Sequence, residues 1–444
     1  MKLVYNVEDR PKFSQVLIFA LQQMLAIMAA TLVVPVLVNS YGQVNLNMDI
    51  AAALMGAGFG TLCYQLFTKG KSPVFLGSSF TFLGSMYSAT VFGYFGIFVG
   101  AVLAGLVYVI IAAVIKLCGT KWIDKLMPPI IIGPTVAIIG LCLAGNAVGD
   151  LTKSSVTGEY NLVAILCGLI ALGTVIACSV YGKKMARLIP FIIGILAGYA
   201  AALIFTLIGN ATGNTNLQIL TFDALKALDF GSVGGWIHVP DFTFLHIGES
   251  ADFSALGNIA MLYMPVAFVV FAEHIADHKN LSSIINRDLV GKEPGLARTL
   301  LGDGVGSMVG AFFGGCPNTT YGESVGCVAI TRNASVITIT TAAIMCLVIS
   351  FFGPFVTFLS SIPNCVMGGV CVALYGFIAV SGLKMIQKVD LNKAKNLFVV
   401  SAILIPGIGG LSVSFGKVTL TTIACALILG IISNLLLSPA KDED

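Results

Sequence analysis

Long apolar runs alternate with short polar stretches along this chain. The runs are about 20 residues long, enough to cross a hydrocarbon core of roughly 30 Å as helices. Fourteen such segments lie between Ser14 and Pro439, starting near residues 14, 49, 73, 94, 123, 161, 186, 254, 296, 316, 334, 355, 395 and 418. The pattern predicts an all-α polytopic membrane protein. The segments starting near residues 73 and 316 are unusually short and are interrupted by glycine and polar residues.

The widest polar interval runs from about Asn210 to Asp252 and carries Trp236 and several turn formers. It divides the chain into a first repeat (1–210), a loop (211–252) and a second repeat (253–444). Seven segments precede the loop. Seven is odd, so the second set of seven enters from the opposite face and runs upside down, the arrangement of inverted-repeat transporters. Weak internal similarity supports the division. The third segment opens on Pro73 and continues Gly77-Ser78-Ser79-Phe80; the tenth opens on Pro317 and continues Tyr321-Gly322-Glu323-Ser324. The fifth and twelfth share Pro128-x4-Gly133 and Pro363-x4-Gly368. Interrupted helices at matched positions mark a binding site, because they leave backbone groups free to meet a ligand.

Lysine and arginine set the orientation, since cytoplasmic loops retain an excess of them. With the N-terminus inside, 21 of the 24 basic residues fall inside and only Lys153, Lys226 and Lys417 fall outside. Both termini are then cytoplasmic, in a multi-pass protein of the plasma or inner membrane. The apolar run after the first dozen residues is too long for a signal-peptide core and reads as a retained span.

Composition adds three points. Only 10% of the residues are charged, and 49 are glycine, which lets membrane helices approach closely. The net charge of +3 is spread over short loops, so nothing points to a nucleic-acid partner. The 11 cysteines fall in or beside apolar segments, which argues against a disulfide framework.

Most acidic residues lie in loops, and the exceptions carry the candidate chemistry: Glu273 and Asp277 in the eighth segment, Asp303 in the ninth and Glu323 in the tenth. A carboxylate at membrane depth faces a cavity, a partner or a proton. Out of water a carboxyl holds its proton more tightly, and gives it up when water or a cation arrives, which is the physical basis of proton coupling. Glu273 and Asp277 are one helical turn apart and share a face. Alternatively, Glu273 marks the cytoplasmic end of the eighth segment, since the stretch from His274 to Asn280 is polar. Asp303, between Gly302 and Gly304, also reads as a helix-packing carboxylate. His274 and His278 have a spacing that can ligate a metal, but no third ligand is near them in sequence, and no metal or cofactor is expected beyond a coupling proton. No Gly-rich phosphate loop of the form Gly-x4-Gly-Lys-Ser/Thr is present, so ATP-driven transport is not supported. No nucleophile and base stand together, and the chain does not read as an enzyme.

Gly77-Ser78-Ser79-Phe80, Ala272-Glu273-His274 and the run from Pro317 to Glu323 and on to Thr331-Arg332 resemble the nucleobase-ascorbate transporter family, most of all its bacterial uracil-proton symporters. The similarity extends over nearly the whole chain. It implies fourteen spans with a core domain (spans 1–4 and 8–11), a gate domain (spans 5–7 and 12–14), and a short strand before the helix in spans 3 and 10. It implies substrate between those strands, bound by Glu273 and Glu323 and by backbone groups of Phe80 and Gly322, beside Tyr321 and Ser324. A homodimer in the lipid bilayer and elevator-like sliding of core against gate complete the expectation. Uracil presents two N–H donors and two carbonyl acceptors, which carboxyl groups and amides can match. Glu273, Asp277 and Asp303 are the candidate proton-coupling groups.

The family pattern has Asn where this chain has Ser324. Its uracil branch has His and Asn where this chain has Asp277 and Asp303, whereas its purine branch favours Asp at both. Uracil with a proton is the leading expectation, xanthine or another purine the alternative, and an anion transporter of the same fold the third.

Overall fold

The computed structural model describes residues 3–183, 185–222, 226, 228–415 and 418–438. Lys2, Lys184, Lys417 and Lys441, used in the charge count above, lie outside the described residues. The first half contains α1 (Phe13–Tyr41), α2 (Ile50–Phe67), strand β1 (Leu76–Ser78), α3 (Leu83–Ala89) and α4 (Gly93–Cys118). Then come α5 (Pro129–Cys142), α6 (Ala144–Thr152), α7 (Leu162–Tyr181) and α8 (Pro190–Thr212). Beyond the polar interval follow α9 (Leu256–Ile285), α10 (Leu296–Gly314), strand β2 (Asn318–Thr320), α11 (Gly322–Thr331) and α12 (Val336–Ile349). The chain closes with α13 (Asn364–Ile386), α14 (Ala394–Ile408), a hairpin of β3 (Val413–Phe415) and β4 (Val418–Leu420), and α15 (Thr422–Leu437).

Local chemistry sets several helix starts. The Asp49 carboxylate accepts from the amide of Ala51 at 2.8 Å, and Asn161 accepts from the amides of Val163 and Ala164 at 2.8 and 2.9 Å, each satisfying N–H groups that a helix start leaves orphaned. Pro190 opens α8, where its missing N–H costs nothing.

Among the described residues, eight helices are long and apolar enough to cross a membrane, and Val336–Ile349, Ala394–Ile408 and Thr422–Leu437 are shorter apolar helices. The chain is a mostly helical, multi-pass membrane protein. The short third and tenth segments are not full-length helices: each is a three-residue strand followed by a short helix. After α3 the chain turns at Gly93, whose φ of 62° is a left-handed conformation that favours glycine, and continues as α4.

The helices pack in two groups. In one, α10 lies against α2 and α4, α9 against α4, and α12 against α1 and α2. In the other, α13 lies against α5, α6 and α7, with α8 on α7 and α14 between α5 and α15. Glycine permits the closest approach in the first group. A Cβ at Gly56 of α2 would run into the carbonyl oxygen of Gly310 on α10. That backbone contact needs small residues, the usual device where lipid removes the hydrophobic drive between helices.

Candidate functional site

β1 and β2 meet antiparallel, pairing Leu76 with Thr320, Gly77 with Thr319 and Ser78 with Asn318, and all six residues are buried. A side chain at Gly77 would collide with the ring of Tyr321, whose hydroxyl donates to the Ser78 carbonyl at 2.7 Å. The strands are further joined to the first helix group by Asn318, which donates to the carbonyl of Gly56 at 3.0 Å.

Beside this pair lies a cavity of about 380 Å³ lined by Glu273 and Asp277 of α9, Glu323 and Gly322 of α11, and Phe80, Thr319 and Tyr321. The three carboxylates all come from the second half of the chain and Phe80 from the first, and the cavity also touches α1 at Ala26, α5 at Val136 and α13 at Phe377 and Ser381. Each α9 carboxylate is oriented by a threonine next to a strand. Thr81 donates to Glu273 at 2.9 Å and Thr320 donates to Asp277 at 2.9 Å. Phe80 presents a ring nearly perpendicular to that of Tyr375, with centroids 5.7 Å apart. Glu323 sits in the first turn of α11, where the partial positive charge of a helix start favours an anionic side chain.

Helix α9 continues twelve residues past Glu273 to Ile285, about 18 Å at 1.5 Å per residue. Glu273 is therefore inside the helix and not at its end. The polar stretch after it stays helical because its polar side chains find partners or the cavity.

Two of the expected site residues are elsewhere. Ser324 is fully buried and is not among the cavity-lining residues; its hydroxyl accepts from Gln23 at 2.6 Å and from the amide of Phe75 at 3.0 Å, so it ties α1 to the start of β1. It follows Glu323 on a helix, and a step of one residue turns a side chain about a quarter of the way round. Asp303 is also fully buried and away from the lining, 2.7 Å from His274 Nδ1. His274 Nε2 lies 3.1 Å from Thr299, and His278, stacked on His274 at 4.0 Å between centroids, lies 2.8 Å from the Tyr64 hydroxyl. The two histidines thus have internal hydrogen-bond partners.

Sequence reasoning missed five contributors. Thr81 and Thr320 carried a signal, being adjacent to Phe80 and Tyr321 in the interrupted segments. Arg187, Ser179 and Asn280 line the cavity without any motif that announces it.

The cavity carries three carboxylates and lies between the two groups of helices, where the broken segments meet, an arrangement suited to a transporter. The sequence signature of a permease family matches residues 14–415. The chain belongs to that family, the nucleobase-ascorbate transporters. It is 38% identical to the uracil permease of Bacillus caldolyticus, over 98% of this chain and 95% of that protein. It is likewise 38% identical to the uracil permease of Bacillus subtilis strain 168, over 100% and 97%, and 34% identical to that of Escherichia coli K12, over 96% and 92%. Among solved structures, the transmembrane domain of the cyanobacterial bicarbonate transporter BicA superposes with a TM-score of 0.59 at 15% identity, covering 96% of this chain and 99% of that one. Murine Solute Carrier 26 family member A9, an anion transporter in the inward-facing state, superposes at 0.64 with 10% identity, covering 97% and 69%. These two share the fold.

Proposed function

We propose that this protein imports uracil with a proton through alternating access in the plasma membrane, with both termini cytoplasmic. The observation that carries the reading is the convergence of Glu273, Asp277 and Glu323 on one cavity beside Phe80 and the exposed backbone of Gly322. Uracil offers donors and acceptors around a flat ring, and carboxyl groups with an amide match them. A protonated Glu273 donates to a substrate carbonyl while Glu323 accepts from ring nitrogens; Asp277, one turn along α9, shares the proton. Asp303 communicates with that stripe only through its neighbour His274.

Relatives named uracil permeases over nearly their full length support the substrate. The two helix groups supply the moving parts. The group built on α1 to α4 and α9 to α12 is the core that carries substrate, and the group built on α5 to α8 and α13 to α15 is the gate, with fourteen crossings as inverted repeats in a homodimer. The anion reading is disfavoured by three carboxylates at the site, even though Arg187 lines the same cavity.

Uptake of radiolabelled uracil by proteoliposomes under an inward proton gradient, with unlabelled xanthine in excess, tests the proposal. Gradient-driven accumulation that xanthine does not block is expected. Xanthine uptake without uracil uptake moves the substrate to the purines, and uptake driven by a sodium gradient alone removes the proton.

A further inference from the structure

A second set of polar contacts joins the two helix groups away from the cavity. Tyr41, the last residue of α1, shares its hydroxyl between the Asp150 carboxylate at 2.8 Å and the carbonyl of Asn146 at 3.1 Å, both on α6. The Asn146 side chain in turn donates to the Tyr87 hydroxyl of α3 at 3.1 Å. The rings of Tyr41 and Tyr87 lie 6.1 Å apart. Two helices of one group are therefore bonded to a single nine-residue helix of the other. The approach is tight: a Cβ on Gly149 would come within 3.2 Å of the Tyr41 hydroxyl, so a larger residue there would make that hydroxyl give way by a few tenths of an ångström.

These contacts lie at the opposite end of α1 from the cavity mouth. Gln22, near the start of α1, donates to the sulfur of Met185 at 2.7 Å, in the short helix that brings Arg187 and Leu188 to the cavity wall. Ala26 lines the cavity, and Tyr41 is fifteen residues further on, about 22 Å along the helix axis. Between them the Phe80 and Tyr375 rings meet across the two groups. The cavity and these contacts thus lie at different levels along α1, both at the junction of the two helix groups.

We propose that Tyr41, Tyr87, Asn146 and Asp150 form a latch that closes the extracytoplasmic side while the cavity is open to the cytoplasm. Breaking it is the step that admits substrate from outside. This rests on the alternating-access reading above. None of the four residues lines the cavity, so they act on the balance between the two states and not on the bound base. Within the latch, Asp150 loses a hydroxyl donor when the groups part, and water entering from outside replaces it.

Amide hydrogen exchange on the full-length protein in nanodiscs tests the latch, with Tyr41→Phe, Asp150→Ala and the double variant. Each single variant is expected to speed exchange over residues 87–92 and 144–152 by at least about tenfold, equivalent to about 1.4 kcal/mol. Exchange over β1 and β2 stays at the wild-type rate, and the double variant is no faster than the faster single one. Wild-type rates over 144–152 in both single variants overturn the latch. So does acceleration spread evenly over α1, α5 and α13, which reports general loosening. The exchange measurement needs no substrate, so a wild-type protein that fails to move uracil overturns the substrate reading and leaves the latch standing.

Discussion

Glu273 and Asp303 are both carboxylates in apolar helices, yet their surroundings differ in kind. Glu273 reaches a cavity and is held by one threonine hydroxyl, leaving capacity for a ligand or a proton. Asp303 is wholly enclosed and lies against an imidazole. A buried polar group with a fixed partner stabilises one arrangement, whereas a polar group with unspent hydrogen-bonding capacity beside a cavity is available for exchange. Acidic side chains thus meet a cavity on one helix and a fixed partner on the next, and the deciding quantity is access.

Substitutions can break this contrast. Glu273→Gln has the largest expected effect on function: substrate binding weakens about 10- to 100-fold, from about 1–3 kcal/mol of unmatched polar groups, and pH dependence of uptake is lost. Uptake that keeps the wild-type pH profile in this variant argues against Glu273 as the proton site. Asp303→Ala is expected to act on stability instead, removing about 1–3 kcal/mol by stranding His274. Thermal unfolding in detergent measures it, and Asp303→Asn, which can still accept from the ring, is the milder variant. A large loss of uracil affinity in Asp303→Asn, with the unfolding midpoint unchanged, would reverse the assignment.

Thr81→Ala and Thr320→Ala come next, with KM raised about three- to tenfold for the loss of an orienting hydrogen bond worth about 0.5–1.5 kcal/mol. Serine at either position restores it, since only the hydroxyl is used. Equal loss in the alanine and serine variants points to packing by the methyl group.

The smallest effect concerns a third carboxylate, Asp49, which water reaches. It lies 3.0 Å from His238 and accepts from the amide of Asp241 at 2.8 Å, fastening the long polar loop to the start of α2. The hydrogen bond to Asp49 holds His238 above its ordinary value of 6.5, against the opposing effect of burial. Burial alone would raise Asp49, but the bonds from His238 and from the amides of Asp241 and Ala51 outweigh it and hold the carboxyl below its ordinary value. For a histidine with a raised pKa, the stabilisation is fully present below the unfolded value and is lost as pH rises through the folded one. For Asp49 it is present above the unfolded value and lost as pH falls through the folded one. Protection of residues 238–241, taken against the intrinsic exchange rate at each pH, is therefore expected to fall as pH rises above about 6.5, and His238→Gln to remove that fall.

Much of this was legible along the chain because membrane solvation is a strong and simple constraint. Apolar runs of spanning length, the two short interrupted segments, and the few carboxylates inside apolar runs can all be read by position. The resemblance carried on Gly77 to Phe80 and on Pro317 to Glu323 pointed to the family to which the chain belongs. Glu273, Asp277, Glu323, Phe80, Tyr321 and Gly322 were named from sequence and do line one cavity.

What pattern could not supply was direction and partnership. Ser324 and Asp303 were drawn into the site by adjacency and by charge, but a helix turns neighbouring side chains apart, and Ser324 went to Gln23 while Asp303 went to His274. Arg187 reached the cavity, and Tyr41 reached Asp150, through contacts between segments far apart in the chain. The sequence by itself determined which residues must leave water and which of those are polar, because transfer free energy belongs to each side chain. Which polar group meets a cavity and which meets a fixed partner was decided only by tertiary packing, because access depends on what the other helices place against it.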